Sequence, residues 1–542
     1  MANEKHFTTT QDEKIQPGLK DARVYFAQTT PSIEDLYEDG TVDPVYQAKA
    51  RLLNAAIQEI GMGKYQWYLF IVAGFGWFAD SVWPLITGLI LSPVVSLYNF
   101  QSPFLSLAVN IGLLVGALLW GLGTDIWGRR LSFNLTLLIA GVFGLAAGGA
   151  NSFVSLASLL AVVGVGVGGN MPVDSAVFLD FVPGSHQYLL TILSIWWSLG
   201  QLFVNLIAWP LIANFSCPQN TPAGTCTKSQ DMGYRYLLFT LGGFTLLLWG
   251  LRFFLFKFEE SPRFLVGLGK DTEAVAVIQR IAAFNGKECT LTVEDLQRAE
   301  FDVMGETEAV DERRRGVLSA SSDYSIGHIK ALFKTKKLAW STSLLIAIWG
   351  IIGLASTLYN NFLPFLLASR GAKFGDSSYY ITYRNQVILS ILGIPGAFLA
   401  GWAVEQPYIG RRGTLAISSG NALFNDPRAI YKGLTGVFLF ASTTARTSDA
   451  LLGWNCGYAF HSNIMYGVLY AISPELFPAK DRGTGNGLTA TTTRVFGVLA
   501  PIIALYANLE TAVPVYISGA LIIFAGSLAL ALPYEPRGKA SL

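Results

Sequence analysis

Between Trp67 and Leu532 the chain is a succession of apolar runs separated by polar breaks, short except for residues 257–339. An α-helix needs about 20 apolar residues to cross a hydrocarbon core of about 30 Å, so each run predicts a membrane-spanning helix. In the first half the runs are Trp67–Leu91, Pro103–Leu122, Leu131–Ala150, Phe153–Val173 or beyond, Leu189–Ala213 and Tyr236–Phe256. In the second they are Trp340–Leu367, Tyr380–Val404, Gly413–Ala445, Ala450–Ile472, Gly487–Ala507 and Ala512–Leu532. The expected class is therefore an all-α membrane protein of twelve transmembrane helices.

One run breaks the pattern. Within Gly413–Ala445, residues 421–433 bring Asp426, Pro427, Arg428 and Lys432. A charge at the centre of a spanning helix costs about 2.5–3.5 kcal/mol, and a proline removes a ladder hydrogen bond. Residues 421–433 are expected to be an insertion, bulged out or displacing the ninth helix, or a translated intron.

Composition agrees with the pattern: the 542 residues are 52% hydrophobic and only 14% charged, with mean hydropathy +0.42. That excludes an ordinary soluble chain. Residues 1–66 read as a polar tail without a cleavable leader, carrying a short helix near Val45–Ile60; 67–256 and 340–532 hold the helices, 257–339 form a central loop, and 533–542 a short tail. The net charge of +1 is uninformative, but basic residues such as Arg129, Arg130, Arg411, Arg412, Lys480 and Arg482 fall on alternate connections. The positive-inside rule then places both termini in the cytoplasm.

Three short motifs recur. Gly121 to Arg130 reads G-L-G-T-D-I-W-G-R-R, and Gly401 to Arg412, G-W-A-V-E-Q-P-Y-I-G-R-R, repeats its Gly, acid, Gly and Arg pair in order. Asp180, Pro183 and Gln187 share their spacing with Glu475, Pro478 and Arg482, and Glu260-Ser261-Pro262-Arg263 is echoed by Glu535-Pro536-Arg537. Glycines allow close helix packing, while arginines hold one membrane face and can pair with an acid such as Asp125.

The first motif resembles the signature loop of the major facilitator superfamily of secondary transporters. The others resemble motifs of its sugar-porter and synaptic-vesicle-protein-like branches, which include metabolite:proton symporters of fungal type. The resemblance implies two pseudo-symmetric six-helix halves. It also implies a gate on the cytoplasmic side built from Asp125, Arg129, Arg130, Asp180, Glu405, Arg411, Arg412, Glu475 and Arg482; a plain charge anchor is the alternative reading. Gln187 stands where the motif has arginine, so the first copy is expected to make the weaker ion pair. The seventh run lacks the paired glutamines of typical sugar porters, which argues against a hexose.

Polar residues inside apolar runs are the candidate site, because they normally face a bundle interior or a water-filled cavity. Asp80 lies about 20 Å in from Trp67 at 1.5 Å per residue; it is read as a proton-coupling acid or as a structural one. Asn170 and Asp174 share a helix face with Gly166, and Asp174 is a second proton-coupling candidate. Gln201 and Asn205, at helical spacing from Trp197, form a substrate-facing stripe. In the second half Tyr359, Asn360, Arg384, His461 and Arg494 lie on four separate helices, which suggests one shared cavity. Arg494 is suited to binding an anion or balancing Asp80. His461 is either a group titrating between pH 5 and 8 or an interhelical hydrogen-bonding side chain. In the outer loop, Cys217 and Cys226 are close enough to pair as a disulfide, and Asn214-Phe215-Ser216 is a glycan acceptor.

No nucleophile–base set, metal cluster or phosphate loop is visible, which argues against an enzyme and against a cofactor or metal. The expected function is proton-coupled movement of a small organic solute by a monomer in a lipid bilayer, with no nucleic-acid partner. Sugar or organic-acid uptake leads, export of a metabolite or drug is the alternative, and a non-transporting nutrient sensor is the third reading. The plasma membrane is expected, with the vacuolar membrane next.

Overall fold

The computed structural model describes residues 44–217, 226–255, 258–304, 329–360, 378–420, 435–478, 481–506 and 512–536. Nine of the described helices are long and apolar enough to cross a bilayer. The first three spans are Lys64–Tyr98, Pro103–Trp127 and Arg129–Gly148, the fifth is Ile195–Phe215 and the sixth Gly233–Leu255. The seventh and eighth are Lys336–Asn360 and Tyr379–Ala403, the eleventh and twelfth Arg482–Tyr506 and Val513–Leu530. Three further positions are filled differently. The fourth span is Phe153–Val167 followed by Asn170–Phe181, the ninth is Gly410–Ser419 followed by Thr435–Ser442, and the tenth, Ser448–Glu475, carries Asn455, His461 and Asn463. These twelve positions are the ones the apolar runs predict.

Boundaries differ from the runs for local reasons. The first span continues past Leu91 to Tyr98 because polar residues lower hydropathy without stopping a helix: the Ser96 hydroxyl bonds the Ser92 carbonyl at 3.1 Å. It ends where Asn99 takes a left-handed conformation, φ 50°. The fourth span, expected to be continuous, breaks at Gly168-Gly169. The eleventh starts at Arg482, not Gly487, so one more turn of polar residues belongs to it. The interrupted segment 421–433 lies outside the described residues. Its flanks nevertheless meet, since the Thr435 hydroxyl donates to the Ser418 carbonyl at 2.6 Å, and Gly420 and Gly436 both pack on Ile523.

Within the first half the third span packs on the sixth and the second on the fourth; between the halves the second span packs on the eleventh and the fifth on the eighth. The crossing of the second and eleventh spans is close: a Cβ on Gly121 would stand 2.6 Å from the Gly487 Cα, so only two glycines fit there.

A cap of short helices covers the end of the bundle that carries the Arg pairs, here the basic end. It comprises Pro44–Ile60, Pro262–Gly267, Asp271–Asn285 and Val293–Met304. The first of these has an apolar face built from Tyr46, Ala50, Leu53 and Ile57, all buried. Its Lys49, 7% exposed, reaches Asp271 at 2.7 Å and Glu300 at 2.8 Å, tying the helix to two others. Asn54 accepts from both Nε and Nη2 of Arg263.

Candidate functional site

Asp80 and Arg494 meet at the centre of the bundle. Asp80 is on the first span and Arg494 on the eleventh, so one comes from each half; the guanidinium Nη2 lies 3.4 Å from the carboxylate, which is 2% exposed. Aromatic rings crowd around them. Tyr470 of the tenth span packs on Trp77, Trp197 and Trp349 with ring centroids 5.2, 5.7 and 4.5 Å away, and Tyr466 stacks on Trp197 at 5.5 Å. A cavity of about 20 Å³ lies beside Arg494, lined by Ser175, Trp349, Tyr470, Asn486, Thr489 and Thr493 among others. That is room for about one water molecule.

A second buried pair lies nearby and within the first half. Asp174 of the fourth span accepts from Arg252 of the sixth at 3.1 Å, both fully buried, and the guanidinium lies 3.7 Å from the centroid of the Phe133 ring. Gly76, one turn before Asp80, sits against this pair, and a Cβ there would collide with the Asp174 carboxylate. The first span is therefore notched onto Asp174–Arg252, which fixes the height at which Asp80 is presented. Asn170, one turn earlier than Asp174, is fully buried, and neither atom of its amide group has a hydrogen-bond partner.

At the basic end the sequence repeats become geometric repeats. Glu260 accepts from the backbone N–H groups of Arg129 and Arg130 at 3.2 and 3.3 Å, at the N-terminus of the third span. Glu535 does the same for Arg411 and Arg412 at 2.9 and 3.1 Å. A carboxylate at a helix N-terminus satisfies orphan donors and complements the helix dipole. The Arg411 side chain bonds Glu475 at 3.0 Å and meets Glu405 at 3.4 Å, while Arg412 bonds the Leu530 carbonyl. Arg129 correspondingly pairs with Asp180.

Asp180 corrects the expectation of a weak first copy. The arginine that Gln187 does not supply comes from elsewhere: Asp180 holds Arg129, Arg263 at 3.7 Å and, from the other half, Arg482 at 3.2 Å. Arg482 also donates to the Pro474 carbonyl at 2.8 Å. The two motif copies are thereby joined to each other. The Asp125 side chain lies outside the described residues.

At the opposite end the halves also touch. The Tyr379 hydroxyl is 2.9 Å from Ser92 Oγ, and Tyr383 donates to the Leu89 carbonyl. The disulfide Cys217–Cys226 lies on this side, its Cα atoms 6.3 Å apart. Asn214 is exposed in the last turn of the fifth span, its amide donating to the Pro210 carbonyl at 2.8 Å.

The shared cavity expected from the second half is not what the structure assembles. Of its candidates only Arg494 lines the central cavity. Tyr359 donates to Asn455, and Asn360 accepts from Tyr458 at 3.0 Å, in a separate network at the end of the seventh span. Arg384 bonds its neighbour Asn385 at 3.1 Å. His461 turns toward the ninth span, where its ring stacks on Phe438 and its Nδ1 is 2.9 Å from the Gly457 carbonyl. Polar residues on one helix point in several directions, and spacing alone does not say which direction is inward. In the fifth span Asn205 donates to Ser390 of the eighth at 2.8 Å, bridging the halves, and Gln201 is half-buried.

Sequence reading missed Arg252, although a charge inside an apolar run was the signal that found Asp80. It also missed Asn486, because the predicted span began one residue later.

Twelve helical positions in two halves, repeated ion-pair motifs at one end and a central charge pair between the halves define a secondary transporter of the major facilitator fold. The family model described as sugar (and other) transporter matches residues 91–534; the chain belongs to this family, and it is an integral membrane protein. It is 73% identical over 508 residues to MFS siderochrome iron transporter 1 of Ceriporiopsis subvermispora, covering 94% of both chains. It is 40% identical to the major facilitator-type transporter hxnZ of Emericella nidulans, covering 94% of this chain and 91% of the relative. Among solved structures, the proton:xylose symporter XylE bound to 6-bromo-6-deoxy-D-glucose aligns with a TM-score of 0.61 at 16% identity, over 88% of this chain and 98% of that one. This last likeness is one of fold.

Proposed function

We propose that the protein is a proton-coupled carrier that moves a small organic acid by alternating access. The observation that carries the reading is the Asp80–Arg494 pair, split between the halves beside a cavity lined by Trp349, Tyr470 and polar side chains. A guanidinium recognises a carboxylate through paired hydrogen bonds. A substrate carboxylate that takes Arg494 leaves Asp80 without its counter-charge. An uncompensated buried charge costs about 3–5 kcal/mol, so Asp80 then takes a proton. Substrate and proton thus bind together. The basic-end pairs, with Asp180–Arg482 joining the halves, act as the cytoplasmic gate, and the Tyr379 and Tyr383 contacts as the outer one. The protein works as a monomer in the plasma membrane.

A second reading is favoured by the relative named a siderochrome iron transporter: the substrate would be a ferric siderochrome. One experiment separates the two. Purified protein in proteoliposomes with an imposed pH gradient is offered labelled organic acids, sugars and a ferric siderochrome, as wild type, Asp80→Asn and Asp174→Asn. An organic acid is expected to accumulate with the gradient, and Asp80→Asn to lower accumulation at least about 10-fold, the equivalent of about 1.4 kcal/mol. Accumulation of the chelate alone would establish the second reading. Flux that ignores both the gradient and Asp80→Asn would remove proton coupling.

A further inference from the structure

The side chains that line the central cavity divide into those whose hydrogen-bonding capacity is used within the protein and those whose capacity is not. Ser473 donates to the Leu469 carbonyl and accepts from Trp349 Nε1, both at 2.7 Å. Thr489 donates to the Asn486 carbonyl at 3.0 Å, and Thr493 to the Thr489 carbonyl at 2.9 Å. These hydroxyls hold the walls together. Three other lining groups have no hydrogen-bond partner: Ser175 Oγ, Asn486 Nδ2 and Arg494 Nε. Ser175 is 2% and Asn486 5% exposed, so water does not solvate them from the membrane faces. A buried donor left unsatisfied is unfavourable, and few survive in a folded interior without a functional reason.

We infer that Ser175 and Asn486 form a second subsite of the substrate cavity, which takes an oxygen acceptor of a carboxylate already held by Arg494. This deepens, and rests on, the organic-acid reading above. The substrate class is then a small carboxylate bearing a hydroxyl, carbonyl or second carboxyl oxygen. The positions support this. Asn486 and Arg494 lie eight residues apart on the eleventh span, two helical turns along one face. Their backbone positions are about 12 Å apart along the helix axis at 1.5 Å per residue, and both side chains line the same cavity. The Asn486 amide can only donate through Nδ2, so it selects an acceptor; the Ser175 hydroxyl serves either role. Ser175 belongs to the first half and Asn486 to the second. An acceptor held by both ties the halves together on the basic-end side of Arg494, so substrate occupancy itself draws the halves together there.

The test measures binding. Quenching of tryptophan fluorescence, with Trp349 in the cavity wall, is titrated on purified wild type, Asn486→Ala, Asn486→Asp and Ser175→Ala, using propionate, lactate, pyruvate, succinate and malate. Wild type is expected to bind the oxygenated acids more tightly than propionate. Asn486→Ala is expected to weaken oxygenated acids about 10-fold, the loss of one hydrogen bond, while leaving propionate nearly unchanged. Asn486→Asp keeps the volume and replaces the donor by an acceptor, so it is expected to lose more than the alanine variant. A monodisperse elution profile shows that each variant folds. If these carboxylates bind but wild type shows no preference, or if Asn486→Ala keeps it, the subsite is wrong and the organic-acid reading stands. If none of the five binds, the organic-acid reading fails and the subsite fails with it.

Discussion

Asp231 lies in the turn before the sixth span with its side chain fully buried. Burial pushes its carboxyl above the ordinary carboxylate range, against the pull of the nearby Arg235. A carboxyl with a raised folded pKa favours the fold below its unfolded value of about 3.9, and that contribution is lost as pH rises through the folded value. Asp231→Asn removes the dependence. The variant is therefore expected to unfold at a higher temperature than wild type at about pH 7, with the gap narrowing toward about pH 4. Thermal scans of purified protein across that range check it, and a less stable variant at neutral pH would show that the ionised carboxylate is in use. At this scale a charge in an apolar run was the legible signal, because such charges are rare and face inward, although Arg252 was passed over. Asp80 and Arg494 were visible for that reason. Ser175, Trp349 and Tyr470 were not, since hydroxyls and aromatic rings are ordinary in spanning helices and only the fold decides which of them face the cavity.

Among the elements, the helix Pro44–Ile60 is anchored across the basic end by Lys49 and by the amides of Asn54 and Gln58, the latter bonded to Ser185. Lys49→Ala leaves Asp271 and Glu300 buried without their shared cation, a loss of about 3–5 kcal/mol. The expected result is faster proteolysis within residues 44–60 while the spans stay intact, read by limited digestion and mass spectrometry. The ninth span makes a different prediction. Thr435 reaches the Ser418 carbonyl as a helical threonine reaches the residue three positions back. Joining Gly420 directly to Thr435 would give it that register. Deletion of residues 421–434 is expected to yield one continuous ninth helix and a protein that folds and transports like wild type. Loss of expression on deletion would show that the segment belongs to the fold. Apolar periodicity was sufficient to locate both helical pieces, and their meeting was hidden because it depends on contacts across a gap in the pattern.

Over the whole molecule, the repeated motifs announced two halves, and the repeated Glu260 and Glu535 contacts show the repetition in three dimensions. What repetition could not announce is where the halves break their symmetry. Arg482 has no first-half counterpart at Gln187, so the link to Asp180 runs one way. The glycine crossing of the second and eleventh spans is the other point of closure. Gly487→Leu is expected to hold the basic end open, to lower transport by at least about 10-fold, and to raise labelling of cysteines introduced beside the central cavity from that side. Unchanged labelling would mean that the halves do not close there.

The central pair has a consequence for energetics. Asp80 and Arg494 cancel one another at rest. If a substrate anion replaces Asp80 at Arg494 while Asp80 is protonated, the loaded site is neutral as well, and neither the empty nor the loaded carrier moves net charge through the membrane field. A membrane voltage does work of about 2.3 kcal/mol per elementary charge per 100 mV, and here that lever has nothing to act on. Uptake of a monovalent acid is expected to follow the pH difference and to ignore a potassium diffusion potential set with valinomycin. A cell would then tune this carrier through acidity and not through voltage.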